Sequence, residues 1–379
     1  MSKLQKILNE REFHPPLSAK DAFEKLNNQQ ILLYGAGAFG LENYNLFTKY
    51  GIKPIAFLDR NAKTGDTKMG IPVYHPNDSD LTMDFRNKCL VFITISLPQD
   101  KMKLIKNDLY ELGYVNCREA QTMTARQVRF DDVADENPDN NYIKKNQEKI
   151  FRAINLMADE ESCETYISCI AGHLLRNYDD CVETNFPVQY FDAGIPYKRG
   201  LSHFVDCGAY TGDSLQTALQ YCDFIEDYVA FEPIPSNFTE LSQNVDLLKQ
   251  KIKRAWLFPC GVDEKTGMAK FSVSASSSAI TDNADGELLQ LVRLDDALKG
   301  FNVTLLKMDI EGAEPAALRG SQNLITQQKP DLAISVYHSV NHYWDIPCML
   351  DDLKLEYRFY LRSHTPATLE TILYAVCNK

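Results

Sequence analysis

The sequence lacks three features that would narrow its class at once: a CxxC pair, a long apolar run and an excess of basic residues. Its ten cysteines are scattered, and Cys89, Cys207 and Cys260 lie in apolar, strand-like runs. Scattered cysteines in such runs are typical of reduced, buried thiols rather than of a disulfide framework. The pattern favours a reducing compartment.

Charge and hydropathy exclude two further classes. The formal net charge of −12 argues against a protein that coats nucleic acid or an anionic membrane, since both need a basic surface. No stretch approaches the ~18–20 apolar residues of a membrane span, and residues 1–20 lack the apolar core of a signal peptide. We expect a cytoplasmic protein with no membrane span and no nucleic-acid partner.

The chain is long enough for two domains, and its hydrophobic pattern has two parts. At 379 residues it exceeds one ordinary core. Apolar strands alternate with helices in both parts, which is typical of parallel, doubly wound sheets. We predict an α/β protein with a Rossmann-like unit at residues 1–125, a linker and helical bridge at 126–200, and a second Rossmann-like unit at 201–379.

The second unit is predicted to contain seven main strands and an inserted pair of extra strands. The main strands are HFVDC, DYVAFE, AWLFPC, TLLKMD, LAISVY, YRFYLR and TILYAV. The inserted segments, AKFSVS and ELLQLVRLDDAL, lie between the third and fourth main strands.

A glycine loop, GAGAFG, follows the first strand of the upstream unit. Gly35, Gly37 and Gly40 give GxGxxG spacing, and Asp59 ends the next strand. In dinucleotide-binding units such glycines let the backbone approach a phosphate at a helix N-terminus. The acid accepts hydrogen bonds from the ribose hydroxyls. The loop predicts a second nucleotide site, for NAD or a nucleotide sugar. The alternative is that these glycines serve only helix–strand packing.

A second glycine loop, DCGAYTGD, has a different spacing. Asp206 ends a strand, Gly208 and Gly212 follow, and no third glycine brings a helix close to a pyrophosphate. Acids also end the next strand, at Glu232, and follow the third, at Asp263. This arrangement suits a cofactor with an ammonium group and a ribose but no phosphates. S-adenosylmethionine is such a cofactor.

From about residue 203 to residue 376 the chain resembles the FkbM family of S-adenosylmethionine-dependent methyltransferases. The matching segments, in order, are FVDCGAYTGDS, FEPIPSNFTEL, CGVDEKTGMAKFSV, VRLDDAL, LLKMDIEGAEPAALRG, KPDLAISVYH, YRFYLR and ETILYAV. The resemblance implies a class I methyltransferase fold, a seven-stranded and mostly parallel sheet with an antiparallel last strand. It also implies methyl transfer to a hydroxyl oxygen of a glycan, nucleotide sugar or natural product.

The resemblance also implies roles for residues of the cofactor site. Asp206, Gly208 and Gly212 would surround the methionine part, Glu232 would hold the ribose, and Asp263 would lie by the adenine. The full set expected to bind the cofactor is Asp206, Gly208, Ala209, Tyr210, Gly212, Glu232, Pro233, Gly261 and Asp263.

The upstream unit is similar to the Rossmann-like domain of sugar O-acyltransferases. The matching segments are YGAGAFG, IAFLDR and MGIPVYHP. This similarity implies a glycan-related ligand. The sequence leaves open whether the unit binds a ligand, recruits a carrier or supports a homo-oligomer.

Methyl transfer to an alcohol benefits from a positioned base, because an alcohol is a poor nucleophile. The candidates are Asp309 and Glu311, after the fourth main strand, and His338, after the fifth. A histidine has an intrinsic pKa suited to a base near neutral pH. As structural alternatives, Asp309 could cap a helix, and His338 could form a strand-end hydrogen bond. Glu311 could pair with Arg319 or Lys307.

Tyr337 and Arg362 are predicted to shape the acceptor pocket. A divalent cation held by Asp309, Glu311 and His338 is a further alternative, but no zinc motif supports it, and we expect no metal. The rival functions are an NAD-dependent oxidoreductase or epimerase that uses GAGAFG, and a non-catalytic nucleotide sensor. The upstream unit lacks the Tyr-x-x-x-Lys pair that would support the first rival.

Overall fold

The computed structural model describes residues 2–13, 23–95, 97, 99–120, 140–175, 188–273, 278–280, 287–365 and 368–377. The chain splits into two compact units. The first comprises Met1–Lys144, Ser168–Glu183 and Thr365–Leu369, and the second comprises Lys145–Ile167, Thr184–His364 and Glu370–Lys379. The split divides the predicted helical bridge between the two units. The first part of the predicted linker and bridge, residues 126–139, lies outside the described residues.

The first unit is built on a six-stranded sheet in the order β3-β4-β2-β1-β5-β6. Its pairings are parallel except for the β3–β4 hairpin. The elements are α1 (Ser2–Phe13), β1 (Ile31–Tyr34), α2 (Ala38–Lys49), β2 (Ala56–Leu58), β3 (Thr67–Lys68), β4 (Ile71–Tyr74), α3 (Met83–Lys88), β5 (Leu90–Ile93), α4 (Gln99–Glu111) and β6 (Cys117–Glu119).

Strand β1 is buried on both faces, which explains its uninterrupted apolar sequence. Ile31 and Leu33 pack in one core cluster, whereas Leu32 and Tyr34 pack in another on the opposite face. Side chains alternate between the faces of a strand, so two apolar faces require an apolar residue at every position. The run ILLY is therefore a central strand of a covered parallel sheet.

Two further helices, α5 (Asn140–Leu156) and α6 (Glu160–Leu175), follow the first sheet along the chain. The main sheet of the second unit has seven strands in the order β16-β17-β15-β14-β7-β8-β9. The predicted seven main strands are confirmed, and the last is antiparallel to both neighbours. Its strands are β7 (His203–Cys207), β8 (Ile225–Phe231), β9 (Ile252–Phe258), β14 (Leu305–Met308), β15 (Asp331–Ser335), β16 (Tyr357–Ser363) and β17 (Thr371–Cys377).

A small sheet in the order β10-β13-β11-β12 is inserted after β9. Its strands are β10 (Gly261–Val262), β11 (Gly267–Val273), β12 (Ser278–Ile280) and β13 (Glu287–Val292). The predicted pair corresponds to β11 and β13, which are antiparallel. The end of the second predicted segment was wrong, since Leu294–Ala297 is a short helix.

The remaining helices of the second unit follow its strands. They are α7 (Asp213–Tyr221), α8 (Pro235–Leu247), α9 (Leu294–Ala297), α10 (Glu314–Gly320), α11 (Gln322–Gln328) and α12 (His342–Asp352). Among the described residues, no helix combines the length and hydropathy that a membrane crossing requires.

The glycine loop of the first unit contains one position that only glycine can occupy. A Cβ added at Gly40 would lie 2.0 Å from the carbonyl oxygen of Gly35. A Cβ added at Gly37 would meet nothing within 4 Å, and the φ of Gly37 is −78°. Gly40 therefore holds helix α2 close to the end of β1.

We expect Gly40→Ala to destabilise the first unit by about 1–3 kcal/mol, the usual cost of overpacking. Gly37→Ala, the matched control, should change stability by less than about 0.5 kcal/mol. Amide hydrogen exchange of strands β1, β2 and β5 in the full chain measures both effects. Equal protection in the two variants would contradict the packing role of Gly40.

Candidate active site

The loop after β7 and the loop after β14 lie against each other at the carboxyl ends of adjacent strands. The backbone N–H of Asp309 donates to the carbonyl of Cys207 at 3.0 Å. Gly208 has φ +76°, and a Cβ there would lie 1.8 Å from the carbonyl oxygen of Asp309. Only glycine allows this approach. The glycine loop and the acidic segment predicted separately thus form one site.

A buried ion pair joins these two strands below the loops. The Oδ1 atom of Asp206 lies 2.9 Å from Nζ of Lys307, and the hydroxyl of Tyr228 donates to Oδ2 at 3.0 Å. Nζ of Lys307 also donates to the carbonyl of Gly208 at 2.6 Å. Burial lowers the pKa of Lys307, but the carboxylates of Asp206 and Asp309 outweigh it and raise that pKa. Lys307 stays charged and neutralises Asp206.

Glu232 connects the glycine loop to the next strand. Its Oε2 accepts the backbone N–H of Tyr210 and its Oε1 that of Ile234, both at 2.9 Å. Burial raises the pKa of the Glu232 carboxyl, although these N–H groups oppose the shift. Ala209 is buried, whereas the side chain of Tyr210 is 56% exposed. Glu232 therefore fixes the loop while Tyr210 faces outward.

Asp263 and Gly261 occupy a different place from the one expected. Gly261 belongs to β10 and Asp263 follows it, so both lie on the small sheet rather than at the end of a main strand. The backbone N–H of Asp263 donates to the carbonyl oxygen of Val292 at 3.0 Å. Its Oδ1 accepts the N–H of Glu264 at 2.5 Å. Glu232 and Pro233 directly follow β8 of the main sheet.

His338 lies among three carboxylates. Its Nε2 is 3.4 Å from Oδ1 of Asp309 and 3.4 Å from Oε2 of Glu311. Its Nδ1 is 2.9 Å from Oε1 of Glu314, a side chain with no exposed surface. The structure brings together the three predicted catalytic candidates. Glu314 was missed, although an acid in the first turn of the helix after DIEG was the available signal.

The carboxylates change the protonation of His338. Burial lowers the pKa of the imidazole, but Glu314, Asp309 and Glu311 outweigh it and raise the pKa to about 9. The imidazole is therefore protonated at neutral pH. The intrinsic pKa of histidine does not apply to this ring, because the sequence does not show how much negative charge surrounds it.

Asp309 accepts hydrogen bonds from two tyrosines. The hydroxyl of Tyr190 donates to Oδ2 at 2.5 Å, and that of Tyr337 donates to Oδ1 at 3.2 Å. Asp309 is not a helix cap, since Ala313 occupies the N-cap of α10 and no side chain caps it. The predicted acceptor-pocket residue Tyr337 thus lies at the catalytic cluster. Tyr190 was missed because it lies in the predicted bridge.

Residues 206–365 match the model of the methyltransferase FkbM domain. This segment is an FkbM methyltransferase domain. The predicted family resemblance is confirmed for this part of the chain, and a methyltransferase activity follows from it. No curated protein matches the chain significantly.

The fold also occurs in a solved structure of an FkbM methyltransferase. The chain is 22% identical to methyltransferase FkbM from Methylobacillus flagellatus KT, with a TM-score of 0.68, and the match covers 99% of this chain and 97% of that one. Fibrillarin from Aeropyrum pernix, solved with natively bound S-adenosyl-L-methionine, is 10% identical with a TM-score of 0.30. That match covers 48% of this chain and 69% of that one. The first likeness shows the fold along nearly the whole chain.

In the methyltransferase domain, Arg362 was predicted to shape the acceptor pocket, but its guanidinium lies against residues near the start of α6. Its side chain is almost fully buried, and NH2 lies 2.7 Å from Oδ2 of Asp159. NH1 donates to the hydroxyl of Ser162 at 2.8 Å, and Nε lies 3.2 Å from Glu161. These groups enclose the guanidinium, so Arg362 ties β16 to the start of α6.

Glu311 does not form the ion pair with Arg319 or Lys307 that the sequence offered as a structural alternative. Arg319 pairs with Glu264 and Lys307 pairs with Asp206, so the observed ionic partner of Glu311 is His338.

Three side chains of the domain lie close enough to surround a cation. Atoms of Asp309, Glu314 and His338 all lie within 4.8 Å of one another. This set differs from the predicted metal alternative, which had Glu311 in place of Glu314. The ion pair between His338 and Glu314 accounts for the arrangement without a cation. The absence of a metal stays a prediction.

The upstream glycine loop makes close internal contacts. Gly35 has φ +111°, and a Cβ there would lie 2.7 Å from a side-chain carbon of Ile95. Asp59 accepts the backbone N–H groups of Ala36 at 3.2 Å and Asn61 at 2.9 Å. Packing and turn formation thus explain these residues, and no comparison supports a second nucleotide. The similarity to sugar O-acyltransferases stays a prediction.

We expect Lys307→Met to destabilise the methyltransferase domain by about 3–5 kcal/mol, because it leaves the charge of Asp206 buried and unpaired. The control Lys253→Met breaks an exposed pair with Glu226 and should cost less than about 1 kcal/mol. Urea unfolding of the full chain measures both. Adding Asp206→Asn to Lys307→Met should restore part of the loss, and no recovery would contradict the pairing.

Proposed function

We propose that the chain is an S-adenosylmethionine-dependent O-methyltransferase that acts on a hydroxyl group of a small molecule or glycan. The supporting observation is the contact between Gly208 and Asp309. It joins a loop suited to a sulfonium cofactor to a polar cluster suited to a hydroxyl group. Both lie at the carboxyl ends of parallel strands, where α/β sheets bind their ligands.

The residues around the loop fit this cofactor. The Oε2 atom of Glu232 accepts one backbone N–H, that of Tyr210, and keeps a further lone pair for a ribose hydroxyl. The methionine part would lie along Gly208–Gly212, where Lys307 and Asp206 fix the backbone. Asp263, Gly261 and Pro233 are proposed for the adenine side. S-adenosylmethionine supplies an electrophilic methyl carbon on sulfur.

His338 is proposed as the general base. In its neutral form, Nε2 of His338 would take the proton of the acceptor hydroxyl as that oxygen receives the methyl group that the cofactor would supply. The two tyrosines hold Asp309 in place, so its carboxylate can orient the acceptor hydroxyl. Glu311, whose side chain is 48% exposed, lies at the solvent side of the cluster.

The carboxylates of the proposed site limit the chemical classes of acceptor that it would bind. Burial raises the pKa of Glu370 to about 7, and the carboxylates of Asp309 and Asp213 add to the shift. Burial also raises the pKa of Glu311. A site already crowded with carboxylates repels a diphosphate, which favours a neutral glycan or natural product over a nucleotide sugar.

A cytoplasmic location is part of the proposal. The nine cysteines described in the structure are all free thiols, and most are buried. Buried thiols of this kind are typical of a reducing compartment.

We expect isothermal titration calorimetry to show binding of S-adenosylmethionine to the full chain. Glu232→Gln should weaken it ~10–150-fold, since hydrogen bonds to a charged group contribute ~1.5–3 kcal/mol. Glu240→Gln, on the exposed face of α8, is the matched control and should bind normally. No binding by folded wild-type protein would refute the proposed function, and unchanged binding by Glu232→Gln would refute the ribose assignment.

We expect His338→Gln to lower kcat by ~10²–10⁴ with little change in cofactor affinity, because it removes the base. The wild-type rate should rise with pH up to about 9, since only the neutral imidazole accepts a proton and the pKa of His338 is about 9. Release of S-adenosylhomocysteine across pH 6–10 measures this. A flat profile, or turnover that is lost in EDTA and restored by Mg²⁺, would contradict the base assignment.

A further inference from the structure

We propose that Glu314 is the positioning residue of this site. Its carboxylate lies 2.9 Å from Nδ1 of His338, where it favours a proton on Nδ1 and a lone pair on Nε2, on the side of Asp309 and Glu311. The catalytic meaning of this contact rests on the proposed function above. The contact itself is a property of the folded chain and can be tested without an acceptor.

Glu314 is held in a defined place by the start of helix α10. Its Oε1 accepts the backbone N–H of Ile310 at 2.9 Å, which closes the loop between β14 and the helix. The side chain has no exposed surface. A buried carboxylate needs a compensating partner, and Nδ1 of His338 lies 2.9 Å away. Glu314 therefore has little freedom to turn away from the imidazole.

The contact selects one tautomer of the neutral imidazole. A carboxylate can only accept hydrogen bonds, so the proton of the neutral ring must be on Nδ1. Nε2 then carries the lone pair on the side of Asp309 and Glu311. A carboxylate behind the ring also stabilises the imidazolium that forms when the acceptor gives up its proton.

The groups around His338 make Glu314 the main electrostatic partner. Asp309 and Glu311 face Nε2 from the loop after β14, and Tyr337 packs beside the ring at 4.2 Å between centroids. His342, from α12, approaches the other oxygen of Glu314 at 3.6 Å. Of the carboxylates that raise the pKa of His338, Glu314 has the largest effect.

The direct test is nuclear magnetic resonance of the full chain with ¹⁵N-labelled histidine. Above pH 9 the wild-type ring should show the Nδ1–H tautomer, with His338 assigned from the signal that His338→Gln removes. Glu314→Gln should shift the titration of His338 from about 9 toward the ordinary histidine pKa of 6.5. Glu226→Gln, at a half-buried position near the start of β8, should leave the titration unchanged.

Two outcomes of this test would overturn the proposal. The first is an Nε2–H tautomer in the wild-type protein, a result that needs no variant and so does not depend on the folding of Glu314→Gln. The second is an unchanged His338 titration in folded Glu314→Gln protein. Either result would leave Glu314 with a structural role in the loop and no control over the ring.

Kinetics separate positioning from simple structural support. Glu314→Gln should lower kcat by ~10²–10⁴ with KM nearly unchanged, and its pH profile should reach a plateau at lower pH than that of the wild type. Glu314→Asp, which keeps the charge, should recover part of the loss. A loss in Glu314→Gln with an unmoved pH profile would count against positioning. Failure of the wild type to bind S-adenosylmethionine would overturn the proposed function and leave the tautomer result standing.

Discussion

The ion pair between Asp206 and Lys307 is the interaction on which the methyltransferase site depends. The two residues are directly paired in the parallel register of β7 and β14, and both are almost fully buried. A charge removed from water is tolerated only with a close partner, so the pair fixes these two strands side by side. Lys307 also binds the carbonyl of Gly208, which carries this constraint into the glycine loop.

The constraint explains why the glycine loop after β7 and the polar cluster around His338 are adjacent. Because Lys307 fixes the carbonyl of Gly208, the loop after β14 can approach until Asp309 contacts Gly208. Any side chain at Gly208 would prevent that approach. Glu232 then fixes the far side of the loop through Tyr210. Two carboxylates, one lysine and one glycine thus determine the shape of the loop for which we propose the cofactor.

Sequence reasoning predicted the parts of the fold and site that depend on local pattern. The buried strands were recognisable because a covered parallel sheet needs apolar residues on both faces. Asp309, Glu311 and His338 were expected together because acids and a histidine at the ends of adjacent strands must meet. Lys307 was missed as the partner of Asp206, because an apolar strand does not show which buried charge faces which.

Other errors also arose from contacts between distant segments. Arg362 follows the pattern of a residue at a strand end, but its guanidinium is enclosed by acids near the start of α6 that lie some 200 positions earlier in the chain. Asp263 was expected directly after the third main strand, but the two-residue strand β10 lies between that strand and Asp263. Short strands and long-range ion pairs leave little trace in a local sequence pattern, so both were inaccessible before the fold was known.

The upstream loop shows how one glycine pattern can satisfy two physical demands. A phosphate site needs glycines so that a ligand can approach the backbone, whereas a tight β–α turn needs them so that the helix can approach the strand. The close contact of Gly40 with Gly35 shows that the helix approaches the strand here, and this approach needs no ligand. Gly37 is the exception, because nothing lies within 4 Å of the position of a Cβ there. Close packing therefore explains the glycines at positions 35 and 40 of GAGAFG. It does not explain Gly37.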